Sequence, residues 1–274
     1  GDHSQGALPT YKAMDRAIKM AKKTGIAAIG ITNSSHFGPA GAYTLHAAKK
    51  DMIGLAFCNS DSFVRLYDGA ERFHGTNPIS MAVPSGEQNP WLFDMATSSV
   101  PFNRVELFRS LDQKLPLDVA SDESGNSTQD PHIAEMLDPL GAKFGFKGAG
   151  LGGISEIFSA VLTGMKLSPE LLPMSGPDMT TPRELGAFVM AIDPEGFVGS
   201  FLFKEGMQRY LSLLRNSTAK EKSLVMAPGD REWKIARQRD KNGVVLDPIT
   251  SKQFKVLAER FGILSKFDLW SDHD

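Results

Sequence analysis

The chain has 274 residues, 41% of them hydrophobic, with 30 basic against 32 acidic side chains and a formal net charge of −2. That length accommodates one large domain or two small ones around a real core, and the balanced charge leaves no basic field for nucleic acid or an anionic membrane. The one cysteine, Cys58, excludes an intrachain disulfide and fits a reducing compartment. Lying in an apolar run, Cys58 reads as a small buried apolar residue rather than a reactive thiol. No apolar run approaches bilayer length, and the N-terminus lacks the charged-then-apolar order of a signal peptide, so a soluble, cytoplasmic protein is expected.

From Pro9 onward, Met14, Ala17, Ile18 and Ala21 recur at i, i+3, i+4 and i+7, which predicts an amphipathic helix stopping at Gly25. Residues 26–31 read as a buried strand and residues 43–50 as a helix. Between them, Ser34-Ser35-His36-Phe37-Gly38-Pro39-Ala40-Gly41 sets one imidazole on a glycine-bearing turn at a strand-to-helix switch, where free helix N–H groups and side chains meet ligands. Residues 52–59, 79–84 and 90–98 read as strands separated by loops rich in Gly, Asp and Ser. Residues 112–145 carry Pro116, Gly125, Asp130-Pro131 and Pro139 with little periodicity and predict one long ordered loop.

Beyond it, Ile154, Ile157, Phe158, Val161 and Leu162 repeat at helical spacing, predicting a helix with that stripe toward a core. A Pro/Met/Ser/Gly-rich excursion over residues 168–183 precedes a strand at 185–193, which closes on the turn Asp193-Pro194-Glu195-Gly196. Met207, Tyr210, Leu211 and Leu214 mark a further helix, and Pro228-Gly229-Asp230-Arg231-Glu232 opens a charged one. Thr250-Ser251-Lys252-Gln253 has the form of a capping box ahead of Phe254, Leu257, Ala258 and Phe261.

Several segments have both a chemical and a structural reading. Gly148-Ala149-Gly150-Leu151-Gly152-Gly153 satisfies the glycine spacing of a dinucleotide fingerprint, but no apolar strand precedes it and no acid ends a following strand at the right distance. A Rossmann crevice is therefore rejected, and close helix packing is the structural alternative. Lys147 can meet a phosphate or carboxylate, or be an ordinary exposed lysine. Asp94, Thr97 and Ser98 close a strand, where such side chains either bond local backbone or hold a ligand. Asn77-Pro78 and Asp130-Pro131 each read equally as turns. There is no Cys-x-x-Cys or His-x-x-x-His, and His36, His46 and His74 are not spaced as a ligand set, so no metal is predicted.

Taken in order after the His36 turn, three motifs carry a resemblance: Gly75-Thr76-Asn77-Pro78-Ile79, Trp91-Leu92-Phe93-Asp94-Met95-Ala96-Thr97-Ser98, and Pro139-Leu140-Gly141 followed by Phe146-Lys147-Gly148-Ala149-Gly150-Leu151-Gly152-Gly153. Together they resemble the type 2 malate/L-lactate dehydrogenase family over about residues 1–265. That group comprises the sulfolactate dehydrogenase-like enzymes, among them ureidoglycolate dehydrogenase and piperideine-2-carboxylate reductase. The resemblance implies an α/β fold in which NAD or NADP binds a non-Rossmann mixed or antiparallel sheet flanked by helices. The cofactor sheet would span about residues 51–150, with residues 1–50 and 151–274 as a helical and strand remainder.

It also implies a homodimer that moves a hydride between nicotinamide and a small 2-hydroxy/2-oxo or cyclic 2-imino carboxylic acid. His36 would exchange the proton, since imidazole titrates at about 6.5 and serves as acid or base near neutrality. Ser35 and Gly38 would lie beside the substrate. Thr76, Asn77, Asp94, Met95, Ala96, Thr97, Ser98, Lys147, Gly148, Gly150 and Leu151 would line the cofactor. A non-catalytic homologue, acting as a binding or scaffolding protein, is the alternative.

Family members begin with a further helical segment bearing a Ser-His-Gly turn and an arginine for the substrate carboxylate. Gly1-Asp2-His3-Ser4-Gln5-Gly6 resembles the stretch just after that segment, so a fragment, a processed form or a shortened homologue is expected, its family arginine preceding Gly1. Val100-Pro101-Phe102-Asn103-Arg104-Val105-Glu106 and Ala142-Lys143-Phe144-Gly145 depart from the family pattern and leave the particular acid, and the choice between NAD and NADP, open.

Overall fold

The structure, a computed structural model, describes residues 1–246 and 248–263. Residues 1–229 form one unit and the described residues from 230 onward another. The first unit opens with α1 (Ala7–Thr24), which buries Ala13, Met14, Ala17, Ile18 and Ala21 on the predicted stripe. It ends where the Gly25 N–H donates to Ala21 O at 2.7 Å. Then come β1 (Ile26–Ser34), α2 (Gly41–Ala48), β2 (Ile53–Cys58), β3 (Val64–Arg65), β4 (Arg72–His74), β5 (Ile79–Val83), β6 (Trp91–Met95), α3 (Phe102–Ser110), β7 (Ala120–Ser121), β8 (Met136–Leu137) and α4 (Gly145–Glu156). A π-helical turn at Ile157–Val161 prolongs α4, and β9 (Leu185–Ile192) and α5 (Ser200–Arg215) complete the unit.

Five strands build the main sheet in the order β1-β9-β2-β5-β6, every neighbouring pair antiparallel. The register runs Ile26↔Ile192 to Ile31↔Ala187 between β1 and β9, with an irregularity before Ser34↔Leu185. Met14, Ile18, Ile31, Phe37, Tyr43, Met52, Leu185 and Val189 belong to the apolar core that α1, α2 and this sheet share. Cys58 sits in that core, and burial pushes its thiol up to about 12, as the inert reading requires. A smaller sheet has the order β4-β3-β8-β7, with β3 and β8 parallel. Val64, Val105, Leu115, Val119, Ala120, Ala134 and Leu137 form a second core beside it. No helix among the described residues is long and apolar enough to cross a membrane.

Three expectations change. The single loop over residues 112–145 instead supplies β7 and β8, strands of two residues each, too short for alternation to register. The helix expected from Ile154 begins nine residues earlier, inside the glycine run, and its apolar stripe points outward: Ile154, Ile157, Val161 and Leu162 are 42%, 56%, 62% and 61% exposed. The packed face consists of Gly145, Gly148, Gly152, Ser155, Glu156, Ser159 and Ala160. Small residues let the helix approach the sheet closely, and the branched ones are left on the far side. Only Phe158 keeps its expected role, stacking on Phe57 and Phe188 at centroid distances of 5.0 and 4.8 Å. At Gly186 the approach is backbone to backbone, since an added Cβ would lie 1.7 Å from Ser159 O.

The second unit holds α6 (Asp230–Asn242) and α7 (Pro248–Arg260). Because α7 starts at Pro248, Thr250 stands within its first turn and does not cap it. Proline at that first position supplies the helix-compatible φ that favours a start there.

Candidate active site

The pairing of β5 with β6 places the residues before Ile79 beside those after Met95, because Ile79 and Met95 are register partners. Thr97 consequently meets Thr76 and Asn77: its N–H donates to Thr76 O at 2.9 Å, and its hydroxyl lies 3.2 Å from both Thr76 O and Asn77 O. Ser98 Oγ donates to Val100 O at 2.8 Å. Both hydroxyls thus bond local backbone, the structural alternative. β6 is an edge strand of its sheet, and part of its outer backbone is taken up by Leu92 N, which donates to Pro228 O at 3.2 Å.

α4 packs across this junction. Leu140 N donates to Thr97 O at 3.0 Å, and Asn77 Nδ2 donates to Gly152 O at 3.1 Å. The glycine run is helical, so it is no strand-turn-helix fingerprint. Its glycines divide by face. A Cβ on Gly148 would lie 2.2 Å from Leu140 O and one on Gly152 would lie 3.0 Å from His74 Nδ1, whereas Gly150 and Gly153 have nothing within 4 Å. Gly148 and Gly152 therefore serve packing. Gly150 and Gly153 leave a bare helix face, room that side chains would fill. Leu151 is half-buried, and Lys147 is exposed with its ammonium 5.3 Å from the Phe144 ring centroid.

The His36 loop joins β1 to α2. Its neighbours anchor it: Phe37 is in the core, Tyr43 OH donates to Phe37 O, and Gly6 N donates to His36 O at 3.0 Å. Burial pushes the Tyr43 phenol upward, so it remains a donor. The His36 side chain itself is exposed, with half-buried Ser35 and Gly38 on either side. Asp94 ties this loop to β6. Its Oδ2 accepts the Gly41 N–H at 2.8 Å, putting a carboxylate at the N-terminus of α2, where the helix dipole favours it.

The structure thus brings Thr76, Asn77, Thr97, Gly148 and Gly152 into one cluster and links Asp94 to the His36 loop. No hydrogen bond joins His36 to the cluster among the described residues. Asp130-Pro131 is a turn: Asp130 Oδ1 accepts the His132 N–H at 2.9 Å and Asp130 N donates to Thr128 Oγ1 at 3.0 Å.

Two residues at the heart of the cluster receive no site role from the sequence: Glu156, which no motif singles out, and His74, weighed there only as a metal ligand. Glu156, buried, accepts from Asn77 Nδ2 and Ser168 Oγ at 2.7 Å each, from Ser168 N at 2.6 Å and from Asn59 Nδ2 at 3.3 Å. His74 is buried too, and desolvation lowers its pKa, with Glu156 partly opposing the shift. The one available signal for Glu156 is an acid in an otherwise apolar stretch, four residues after Gly152 and so on its face of the helix.

An antiparallel sheet with a strand-end cluster, closed over by a glycine-faced helix, defines an α/β protein built outside the Rossmann plan. The chain belongs to the malate/L-lactate dehydrogenase family, whose model matches residues 1–255. It is 33% identical over 265 residues to malate/(S)-sulfolactate dehydrogenase of Methanothermus fervidus, covering 96% of this chain and 75% of that one. It is 31% identical over 250 residues to ureidoglycolate dehydrogenase (NAD(+)) of Escherichia coli O157:H7, covering 90% and 70%. With (2R)-3-sulfolactate dehydrogenase (NADP(+)) of Chromohalobacter salexigens it shares 30% identity over 230 residues, covering 83% and 66%. Among solved structures, malate dehydrogenase from Entamoeba histolytica superposes with a TM-score of 0.89 at 29% identity, covering 96% of this chain and 76% of that chain. Sulfolactate dehydrogenase from Methanocaldococcus jannaschii gives 0.87 at 31%, covering 96% and 75%.

Proposed function

We propose that this chain is an NAD(P)-dependent dehydrogenase or reductase acting on a small 2-hydroxy/2-oxo or cyclic 2-imino carboxylic acid. The observation that carries the reading is the convergence of Thr76-Asn77, the end of β6 and the packed face of α4 at Gly148 and Gly152, with Asp94 tying the His36 loop to the same strand. Relatives named for NAD(+) and for NADP(+) support the cofactor class. The binding-only alternative has no observation behind it.

The open face at Gly150 and Gly153, which a Cβ would fill, fits a flat ligand, and exposed Lys147 beside it fits a phosphate. Thr76, Met95, Ala96, Leu151 and Lys147 would hold the dinucleotide, and Asn77, buried beside Thr76, would shape the turn that does so. Asp94 would act from behind, through Gly41. When bound, the nicotinamide supplies or accepts the hydride. His36 gives the proton to the substrate oxygen or nitrogen in reduction and removes it in oxidation, while Ser35 and Gly38 flank the substrate. The cofactor-binding part is read as residues 51–150 with the start of α4.

A homodimer is part of the proposal, supported by the exposed apolar run Ile154, Ile157, Val161 and Leu162 beside the bare helix face. A cytoplasmic location accords with the lone, buried Cys58. The test is NADH and NADPH oxidation against pyruvate, oxaloacetate, sulfopyruvate, oxalurate and cyclic imino acids, with any residues encoded ahead of Gly1 included. Turnover of one of these acids supports the reading, and cofactor binding without turnover of any points to the scaffolding alternative.

A further inference from the structure

Glu156 is an unusual carboxylate. Its four hydrogen bonds all come from neutral donors, the amides of Asn59 and Asn77 and the N–H and hydroxyl of Ser168. Among the described residues no lysine or arginine pairs with it, and a buried carboxylate so placed is costly unless its lone pairs are filled, as they are here. The bond to Asn77 matters most. Asn77 is fully buried, and its φ of +35° lies in the left-handed region, which Asn enters more readily than other side chains but which is still held here by its surroundings.

Polarity fixes the orientation of the Asn77 amide. Its Nδ2 faces two acceptors, Glu156 Oε2 at 2.7 Å and Gly152 O at 3.1 Å, while its Oδ1 accepts the N–H of Ser60 at 3.3 Å; the Ser168 hydroxyl, 3.4 Å from Oδ1, gives its one proton to Glu156. A flipped amide would set like against like on both sides. Thr97 bonds the carbonyls of Thr76 and Asn77, so whatever holds the Asn77 side chain also holds the backbone on which the end of β6 rests.

We propose that Glu156 is a positioning residue that keeps the Thr76-Asn77 turn in the shape the nicotinamide cofactor meets. This rests on the reading of that turn as part of the cofactor site. Glutamine at 156 has the same shape but replaces one acceptor oxygen by a donor NH2. In one orientation that NH2 confronts Asn77 Nδ2, and in the other it confronts the Ser168 N–H.

The experiment compares wild type with Glu156→Gln by amide hydrogen exchange of the cofactor-free protein and by steady-state kinetics with NADH and NADPH. Loss of a hydrogen bond to a charged group predicts exchange over residues 75–78 faster by about tenfold or more, and a cofactor KM higher by a similar factor. At saturating cofactor, kcat should stay within about threefold of wild type, because the interaction is lost before and after the chemical step alike. In an Asn77→Gly background, where no amide remains to be held, Glu156→Gln should add nothing.

If Glu156→Gln does not fold, Glu156→Asp keeps the charge, withdraws its reach by one methylene, and should show the same pattern to a lesser degree. Unchanged exchange at 75–78 together with an unchanged cofactor KM, or a loss confined to kcat, would overturn the proposal. A wild-type protein binding neither cofactor would instead overturn the site reading, and exchange at 75–78 would still decide whether Glu156 holds the turn.

Discussion

At the scale of single residues, a side chain can be conspicuous because of where its loop sits or because of what surrounds it. His36 belongs to the first kind: an imidazole on a tethered, exposed loop between β1 and α2. His36→Ala should lower kcat by about a hundredfold or more, the ordinary scale of acid/base loss, and leave cofactor affinity and melting temperature near wild type. Kinetics beside a cofactor titration check this, and unchanged turnover would make the residue structural. His74 belongs to the second kind. Burial lowers its pKa, so the unfolded chain takes up the proton first as pH falls. Its contribution is full above the ordinary value of about 6.5 and is lost as pH drops from there through the folded-state value. Urea midpoints taken from neutral pH downward should fall less steeply in His74→Gln than in wild type. The loop position of His36 was legible from its neighbours in the sequence, whereas Glu156 acquires its meaning from Asn77, 79 positions away, and His74 from Glu156 and Gly152 on the distant helix α4.

Among the elements, α4 shows what periodicity conveys and what it omits. The spacing of Ile154, Ile157, Val161 and Leu162 correctly announced a helix, yet its covered face is lined by glycine, serine and alanine. A repeat marks that two faces differ and not which one the sheet receives. The glycines make this testable. Gly148→Ala would force a methyl against the Leu140 backbone and should destabilise by about 1–3 kcal/mol through overpacking. Gly150→Ala, on the open face, should leave stability unchanged or raise it by up to about 1 kcal/mol through helix propensity, while weakening cofactor binding. Thermal melts paired with cofactor titrations separate the two; equal effects of both substitutions on melting would contradict the division of faces. The smaller sheet was illegible for another reason, since its paired segments have two or three residues and owe their geometry to the second core around Val105, Leu115 and Leu137.

For the molecule as a whole, the outward apolar run of α4 and its π turn predicts that Ile157→Asp combined with Val161→Asp shifts the sedimentation coefficient from that of a dimer to that of a monomer. A wild-type protein sedimenting as a monomer at micromolar concentration would sink the dimer assignment. The strands of the main sheet were readable one by one from their apolar runs, but their lateral order was not, because β9 enters between two strands that precede it by about half of the chain. That order has a bearing on how the molecule comes into being. As the polypeptide leaves the ribosome, β1 and β2 emerge with the helix α2 between them and cannot complete their backbone pairing until the segment ending at Ile192 has been made. Two apolar strand edges therefore wait through the synthesis of everything between Cys58 and Leu185, and nascent chains truncated within that interval should be held by chaperones or aggregate, whereas release should come soon after β9 has cleared the exit tunnel.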